Sequence, residues 1–293
     1  MLINLFRKNR EIKIPIFTIG GWLTWEDIYI RDDWRIQKNI VINGLYRLID
    51  NKYKLKASGS LQYCKKLLSQ SKKEKKYNKV VILIHGVLCH KLYMTKIEKK
   101  LKKQGYTTFN FGYASNAYEI SHHSKIIETF AKNIQYKEMN FVTFSMGGLV
   151  ARQFINRIPR MKRLVMIAPP NKGSDMADIF GRSKLINAIF GPGLKQMESS
   201  IKSFANRSPL PKCEFGIIAG KIKNHKGWWH PTRILYTLWH KKKNDGLVSV
   251  EQTKLKQMKD FIVLPYDHAV IPFKKKTIKQ VINFIKKGKF KHD

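Results

Sequence analysis

One stretch constrains the fold of this chain more than any other: Asn140-Phe141-Val142-Thr143-Phe144-Ser145-Met146-Gly147-Gly148-Leu149-Val150-Ala151-Arg152. An apolar run stops at a serine, two glycines follow within three residues, and a helix-like segment begins. A sharp strand-to-helix turn lifts a serine hydroxyl out of a sheet and forces its backbone into a strained conformation. Side chains beside such a turn must be small, which is what Gly147 supplies. The helix that follows aims its first amides at the same point. The plainer alternative is a buried strand followed by a serine N-cap and an ordinary helix. The residues around the stretch decide between them.

From Lys79 onward the chain alternates strands and helices. Val80 to Ile84, Thr107 to Phe111, Phe141 to Phe144, Leu164 to Ile167, Phe215 to Ala219 and Phe261 to Leu264 are short apolar runs that read as buried parallel strands. Tyr93 to Lys103, Ser121 to Ile134, Leu149 to Asn156 and Thr277 to Lys287 read as helices. This alternation predicts right-handed crossovers and a mostly parallel sheet covered on both faces. Chemistry in such a sheet collects at the carboxyl ends of the strands. There the chain carries His85-Gly86-Val87, then Ser145-Met146, then Asp245, then Asp267-His268. The amides of Val87 and Met146 are the expected donors to an oxyanion. Serine, acid and histidine in that chain order is the α/β-hydrolase arrangement.

The ordered set of His85-Gly86, Phe144-Ser145-Met146-Gly147-Gly148, Ala168-Pro169-Pro170-Asn171-Lys172-Gly173-Ser174, Asp245-Gly246-Leu247-Val248-Ser249 and Asp267-His268 resembles the α/β-hydrolase superfamily. More narrowly it is similar to the small bacterial lipase/esterase-like serine hydrolases, over roughly residues 80–290. Gly20-Gly21-Trp22 and the Gly59 to Cys64 segment are similar to parts of longer members. The resemblance implies an α/β-hydrolase fold with a small cap between strands, and hydrolysis of a carboxylic ester. Ser145 is then the nucleophile, His268 the base, Asp245 the acid that orients it, and the Val87 and Met146 amides the oxyanion donors. Such chemistry needs no metal or organic cofactor. An acyltransferase or thioesterase with the same triad, or a non-catalytic hydrolase-fold binding protein, are the alternatives. The chain departs from the usual pattern at Thr143, where glycine is common, and at Phe144, where histidine is common.

Three acids compete with Asp245. Asp267 adjoins His268, and adjacent loop residues rarely point the same way. Asp175 and Asp178 read as first-turn acids of a short helix capped by Ser174. His85 is expected to be structural, and His122-His123, His225, His230 and His240 to be loop or surface residues without metal spacing. Residues 1–79 read as an extension packed on the main domain of residues 80–290. Within it lie a strand over Ile12 to Ile19, a hairpin over Ile40 to Ile49 turning at Asn43-Gly44, a helix over Ser60 to Leu68 and an exposed connection over Ser71 to Lys79. Residues 171–212 read as the cap, with a turn at Gly191-Pro192-Gly193.

Charge is the compositional anomaly. The chain has 57 Lys+Arg against 20 Asp+Glu, a net +37. Such a balance fits either an anionic partner, nucleic acid or membrane, or a lysine-rich compositional bias. The lysines are scattered through every segment, which favours the bias, so no specific nucleic acid is expected. The expected partners are a small-molecule or lipid ester as substrate and an anionic membrane in peripheral contact. Trp228 to Trp239, followed by Lys241-Lys242-Lys243, would pack on the sheet edge, line an acyl pocket or lie on a membrane. Three cysteines (Cys64, Cys89 and Cys213) give neither a disulfide framework nor metal spacing. The apolar patch in Met1 to Arg10 is too short for a signal-peptide core. Together these point to the cytoplasm.

Overall fold

The computed structural model describes residues 24–181, 183–222 and 243–292 with their side chains, and the backbone alone of residues 2–7 and 10–15. Strands β1 (Leu2–Arg7) and β2 (Arg10–Pro15) pair antiparallel. β2 covers the start of the strand predicted over Ile12 to Ile19; its end, with Gly20-Gly21-Trp22, lies outside the described residues.

An antiparallel meander follows: β3 (Trp25–Arg31), β4 (Trp34–Asn39), β5 (Tyr46–Ile49) and β6 (Leu55–Gly59). The predicted turn at Asn43-Gly44 is present, with Gly44 at φ 76°. The strand before it ends earlier than expected, however. The Asn39 side chain accepts the N–H groups of Val41 and Ile42, each at 2.8 Å, and so takes those donors away from strand pairing. Helix α1 (Leu61–Ser71) is capped by Ser60, whose hydroxyl accepts Tyr63 N–H, and buries Cys64 and Leu68 against Ile36, Leu48 and Ala57.

The main sheet has six strands: β7 (Lys76–Ile84), β8 (Thr107–Phe111), β9 (Gln135–Phe144), β10 (Met161–Ile167), β11 (Glu214–Gly220) and β12 (Asp260–Leu264). They are all parallel, in the spatial order β12-β11-β10-β9-β7-β8. β7 begins at Lys76, inside the predicted exposed connection. Lys76 to Lys79 pair with Gln135 to Glu138 while their side chains stay mostly in water, so polarity there marks an exposed strand end and not a loop.

Period-two alternation splits the core into two layers. Val80, Ile82 and Ile84 face α3 (Ile120–Asn133) and α4 (Gly147–Arg152), with Ile127, Phe130, Leu149 and Phe154. Val81 and Leu83 face the other way, onto α2 (Thr95–Lys102) and the closing helix of the chain, where Ile97, Leu101, Val281, Phe284 and Ile285 are buried. Between β10 and β11 lie four short helices, α5 (Asp175–Phe180), α6 (Lys184–Phe190), α7 (Gly193–Gln196) and α8 (Phe204–Arg207). The Gly191-Pro192-Gly193 turn separates α6 from α7, with Gly191 at φ 76°. α9 (Val250–Thr253) precedes β12, and α10 (Lys275–Lys287) closes the chain.

The meander is held to the edge of the main sheet through Asp27. Its N–H donates to Gly112 O at 2.8 Å, and its carboxylate accepts Gly112 N–H at 2.8 Å and Gln37 Nε2 at 2.7 Å. Arg35 pairs with the same carboxylate and also donates to Asn110 O at 3.0 Å. Burial opposes ionisation of Asp27, but Arg35, Lys91 and these donors outweigh it and hold the carboxyl below its ordinary value.

Candidate active site

Ser145 follows β9 directly at φ 53°, a left-handed conformation that costs a non-glycine residue energy and is held by its surroundings. Its N–H donates to Ile167 O at 2.9 Å, and its carbonyl accepts Gly148 N–H at 2.9 Å. At Gly147 a Cβ atom would stand 2.6 Å from both Ile84 O and His85 O, so only glycine lets α4 start this close to the end of β7. Thr143 is fully buried in the pleat, its hydroxyl 3.5 Å from Val165 O, so the usual glycine is replaced without a clash. Phe144 lies with its ring centroid 5.1 Å from His268 and 6.2 Å from Tyr93.

The structure brings Ser145, Asp245 and His268 together. His268 Nε2 is 2.9 Å from Ser145 Oγ, and His268 Nδ1 is 2.7 Å from Asp245 Oδ2. The other oxygen of Asp245 accepts the N–H groups of Leu247 (3.0 Å) and Val248 (2.8 Å). The backbone locks the same pair, since His268 N–H donates to Asp245 O at 2.8 Å. Asp245 thus faces the ring at Nδ1 and leaves Nε2 to the serine.

The rival acids are engaged elsewhere. Asp267 accepts Val270 N–H at 3.2 Å. Asp178 accepts the N–H and hydroxyl of Ser199 at 2.7 and 2.6 Å, and Asp175 accepts Gln252 Nε2 at 2.8 Å. Ser174 precedes α5 as expected but does not cap it with its side chain. Its hydroxyl donates instead to Leu247 O at 2.7 Å, tying the cap to the loop after Asp245.

His85 is fully buried beside the turn. Nδ1 donates to Gly86 O at 2.9 Å while Nε2 accepts Tyr113 N–H at 3.4 Å, and the Tyr113 ring stacks on it at 4.2 Å. Burial holds this imidazole down at about 3, which keeps it neutral and out of proton transfer near neutral pH.

A cleft of about 280 Å³ opens over Ser145. Val87, Leu88, Tyr93, Phe144 and Leu247 line it, and Met176, Phe190 and Met197 come from the cap. Val87 stands at its wall after Gly86, and Met146 follows Ser145 at the start of α4. Cys89 also borders the cleft, but burial pushes its thiol up to about 12 and so keeps it unreactive. All three cysteines are free thiols.

Two features escaped the sequence reading. Arg152 is buried (2% exposed) at the end of α4 and donates to Asn171 O at 3.0 Å, Pro209 O at 3.1 Å, Ala205 O at 3.3 Å and Ser208 O. It therefore ties the helix after the serine to the cap. His122 and His123 lie on α3, not in a loop, and His123 is fully buried. With Glu26 of β3 they form the metal-ligand grouping found among the described residues. The signal was readable in part: His123 falls on the inward face with Ile127 and Phe130, but nothing in the sequence places Glu26 opposite it. Trp228 to Trp239, His225, His230 and His240 lie outside the described residues.

No protein-family model and no curated protein matches the chain. Solved structures do. The mature Bacillus licheniformis lipase BlEst2 is similar at a TM-score of 0.56 and 15% identity, over 73% of this chain and 93% of that one. The metagenomic carboxyl esterase MGS0156 is similar at 0.51 and 16%, over 68% and 67%. The phospholipase PlaB from Legionella pneumophila is similar at 0.50 and 18%, over 65% of this chain and 53% of that one. The likeness is one of fold: this chain has the α/β-hydrolase fold, which these ester-cleaving enzymes share. No helix among the described residues is long and apolar enough to cross a membrane.

Proposed function

We propose that the protein is a serine hydrolase of carboxylic esters. The observation that carries this reading is the hydrogen-bond chain from Asp245 through His268 to a strained Ser145 at the floor of a cleft. In the proposed reaction Ser145 Oγ attacks the ester carbonyl as His268 Nε2 takes its proton. The imidazolium faces Asp245 and then passes the proton to the leaving alcohol. Water, deprotonated by the same ring, releases the acid. The backbone N–H groups of Val87 and Met146 are proposed as donors to the oxyanion, an interaction worth about 10²–10³ in rate for each donor. The apolar wall of the cleft, with Phe144, Phe190, Leu247 and Met197, supports a hydrocarbon acyl group as the buried part of the substrate. Free thiols support a reducing compartment, and we assign the protein to the cytoplasm.

The test is a profile of p-nitrophenyl esters of increasing acyl length, run beside fluorophosphonate labelling, with Ser145→Ala as control. The wild type should hydrolyse esters and take the label, and Ser145→Ala should do neither. Labelling that persists in Ser145→Ala, or an inert wild type, sinks the proposal.

A further inference from the structure

Away from the cleft, the Glu26, His122 and His123 cluster is built like a ligand set. Glu26 comes from β3 of the meander, and both histidines come from the first turn of α3. Glu26 Oε2 is 3.2 Å from His122 Nε2, and Glu26 Oε1 is 3.5 Å from His123 Nδ1. One ligand atom from each residue can be chosen so that all three lie within 4.8 Å of one another. A tetrahedral zinc ion with bonds of about 2.0–2.2 Å holds neighbouring ligand atoms about 3.3–3.6 Å apart. The separation from Glu26 Oε1 to His123, 3.5 Å, falls in that range, and the one from Glu26 Oε2 to His122, 3.2 Å, lies just below it.

Burial separates this cluster from an ordinary surface ion pair. Glu26 is 1% exposed and His123 is not exposed at all. Glu26 Oε1 and both ring nitrogens of His123 nonetheless make no well-formed hydrogen bond, and Oε1 and Nδ1 face each other at 3.5 Å. Buried polar atoms are nearly always satisfied, and a buried carboxylate oxygen beside an imidazole, joined by no better than a 3.5 Å contact, suits a cation that accepts a lone pair from each. A cation bound there engages Glu26 Oε1 and one His123 nitrogen together. His122, whose side chain is 35% exposed, provides the way in and leaves a fourth position to water. The rings are held in place by neighbours, since Tyr118 stacks on His122 at 4.0 Å and Tyr113 lies 4.6 Å from His123. Two imidazoles and one carboxylate suit a borderline transition metal better than calcium or magnesium, which take mainly oxygen.

We propose that Glu26, His122 and His123 form a binding site for a divalent transition-metal ion, best suited to Zn²⁺, that clamps the meander onto α3. The site is independent of the chemistry assigned to Ser145. Its contribution is structural: one ion bridges two segments that otherwise meet through a carboxylate and two rings.

The test uses the untagged full chain, stripped with a chelator and titrated with Zn²⁺ against a colorimetric chelator. Co²⁺ serves as a spectroscopic probe, and the melting temperature is read with and without metal. The wild type should bind one Zn²⁺ per chain, melt higher when loaded, and show the visible bands of tetrahedral Co²⁺. Glu26→Gln and His122→Ala should each weaken binding by more than the roughly 10–100-fold that loss of an outer partner of a ligand costs. His122→Ala is the safer variant because the side chain is partly in water, and its circular dichroism without metal checks that it folds. Ser145→Ala should bind zinc like the wild type. The chain has nine histidines, so surface binding is recognised by uptake that survives in both ligand variants. That result, or no stoichiometric uptake by the wild type, overturns the proposal and leaves a buried carboxylate–imidazole pair.

Discussion

Ser145 Oγ and His268 Nε2 lie 2.9 Å apart although 123 residues separate them in the chain. Three independent constraints produce that distance. β9 and the left-handed backbone at Ser145 aim the hydroxyl, the loop after β12 delivers the ring, and Asp245 holds the ring from behind at side chain and backbone alike. Asp245→Asn keeps the shape of the acid but offers Nδ1 a donor where it needs an acceptor. We expect kcat on a p-nitrophenyl ester to fall by about 10⁴ with little loss of stability. Asp267→Asn keeps the side-chain oxygen that accepts Val270 N–H and makes no hydrogen bond to the His268 ring, so it should change stability by no more than about 0.5 kcal/mol and kcat little. Steady-state kinetics on the two variants checks the assignment, and a larger loss in Asp267→Asn would reverse it.

Gly147 is confined by the backbone of a neighbouring strand, not by side chains that can move. Its missing Cβ would stand 2.6 Å from two carbonyl oxygens. Gly147→Ala should therefore push α4 away from β7, at a cost of at least about 2 kcal/mol, toward the upper end for overpacked cores. Gly148→Ala comes closest to a side-chain atom, Pro169 Cβ at 3.0 Å, with Met166 Sδ and Thr143 Oγ1 at ordinary contact distance, and should cost less. Urea unfolding of both variants, read with ester turnover, tests the contrast; equal midpoints would mean that the turn yields.

The parallel sheet and its helices were legible because buried strands advertise themselves as short β-branched runs. Ser145 was legible because it directly follows such a run, and Asp245 and His268 because they come after it in chain order, Asp245 opening Asp245-Gly246-Leu247-Val248-Ser249 and His268 lying in the loop after β12. The meander was harder to read. Its strands are short and polar, and Asn39 ends β4 through a side-chain bond that competes with the ladder. The start of β7 was hidden by lysines that pair by backbone while their side chains face water. Asp27, Arg35 and Glu26 could not be read at all, and His123 only by its helix face, since a buried polar residue looks like a surface one until its partner is known, and these partners lie 75 residues or more apart where they cross from the meander to the main sheet.

His85 gives stability a pH dependence with a defined sign. Burial holds its native value near 3, whereas an unfolded histidine titrates near its ordinary 6.5. Below 6.5 the unfolded chain binds a proton that the native state refuses, so this group destabilises the fold progressively as pH falls toward 3. The loss grows by about 1.4 kcal/mol per pH unit, or about 2 kcal/mol at pH 5. Replacing the ring in His85→Asn removes that slope whatever it does to stability at pH 7. Urea midpoints at pH 7 and pH 5 should converge for the variant relative to the wild type. Parallel pH dependence in the two proteins would show that His85 protonates freely in the native state.

Arg152 shows how the cap is held over the cleft. Its guanidinium is buried without a carboxylate partner among the described residues and is satisfied by Asn171 near the start of the cap segment and by Ala205, Ser208 and Pro209 near its end. Burial lowers its value to about 10, so it stays charged at neutral pH. Arg152→Met keeps the apolar stem and removes every donor, leaving buried carbonyl oxygens unpaired. Hydrogen bonds to a charged group contribute about 1.5–3 kcal/mol each, so the variant should lose at least about 3 kcal/mol even after partial relaxation. Because Met176, Phe190 and Met197 reach the cleft from that same segment, the loosened cap should also raise KM for long acyl esters more than for acetate. Arg152→Lys can replace only part of the fork and should fall between. Urea unfolding and a chain-length profile of KM together check this. A variant that loses stability with an unchanged profile would mean that Arg152 braces α4 without governing the cleft.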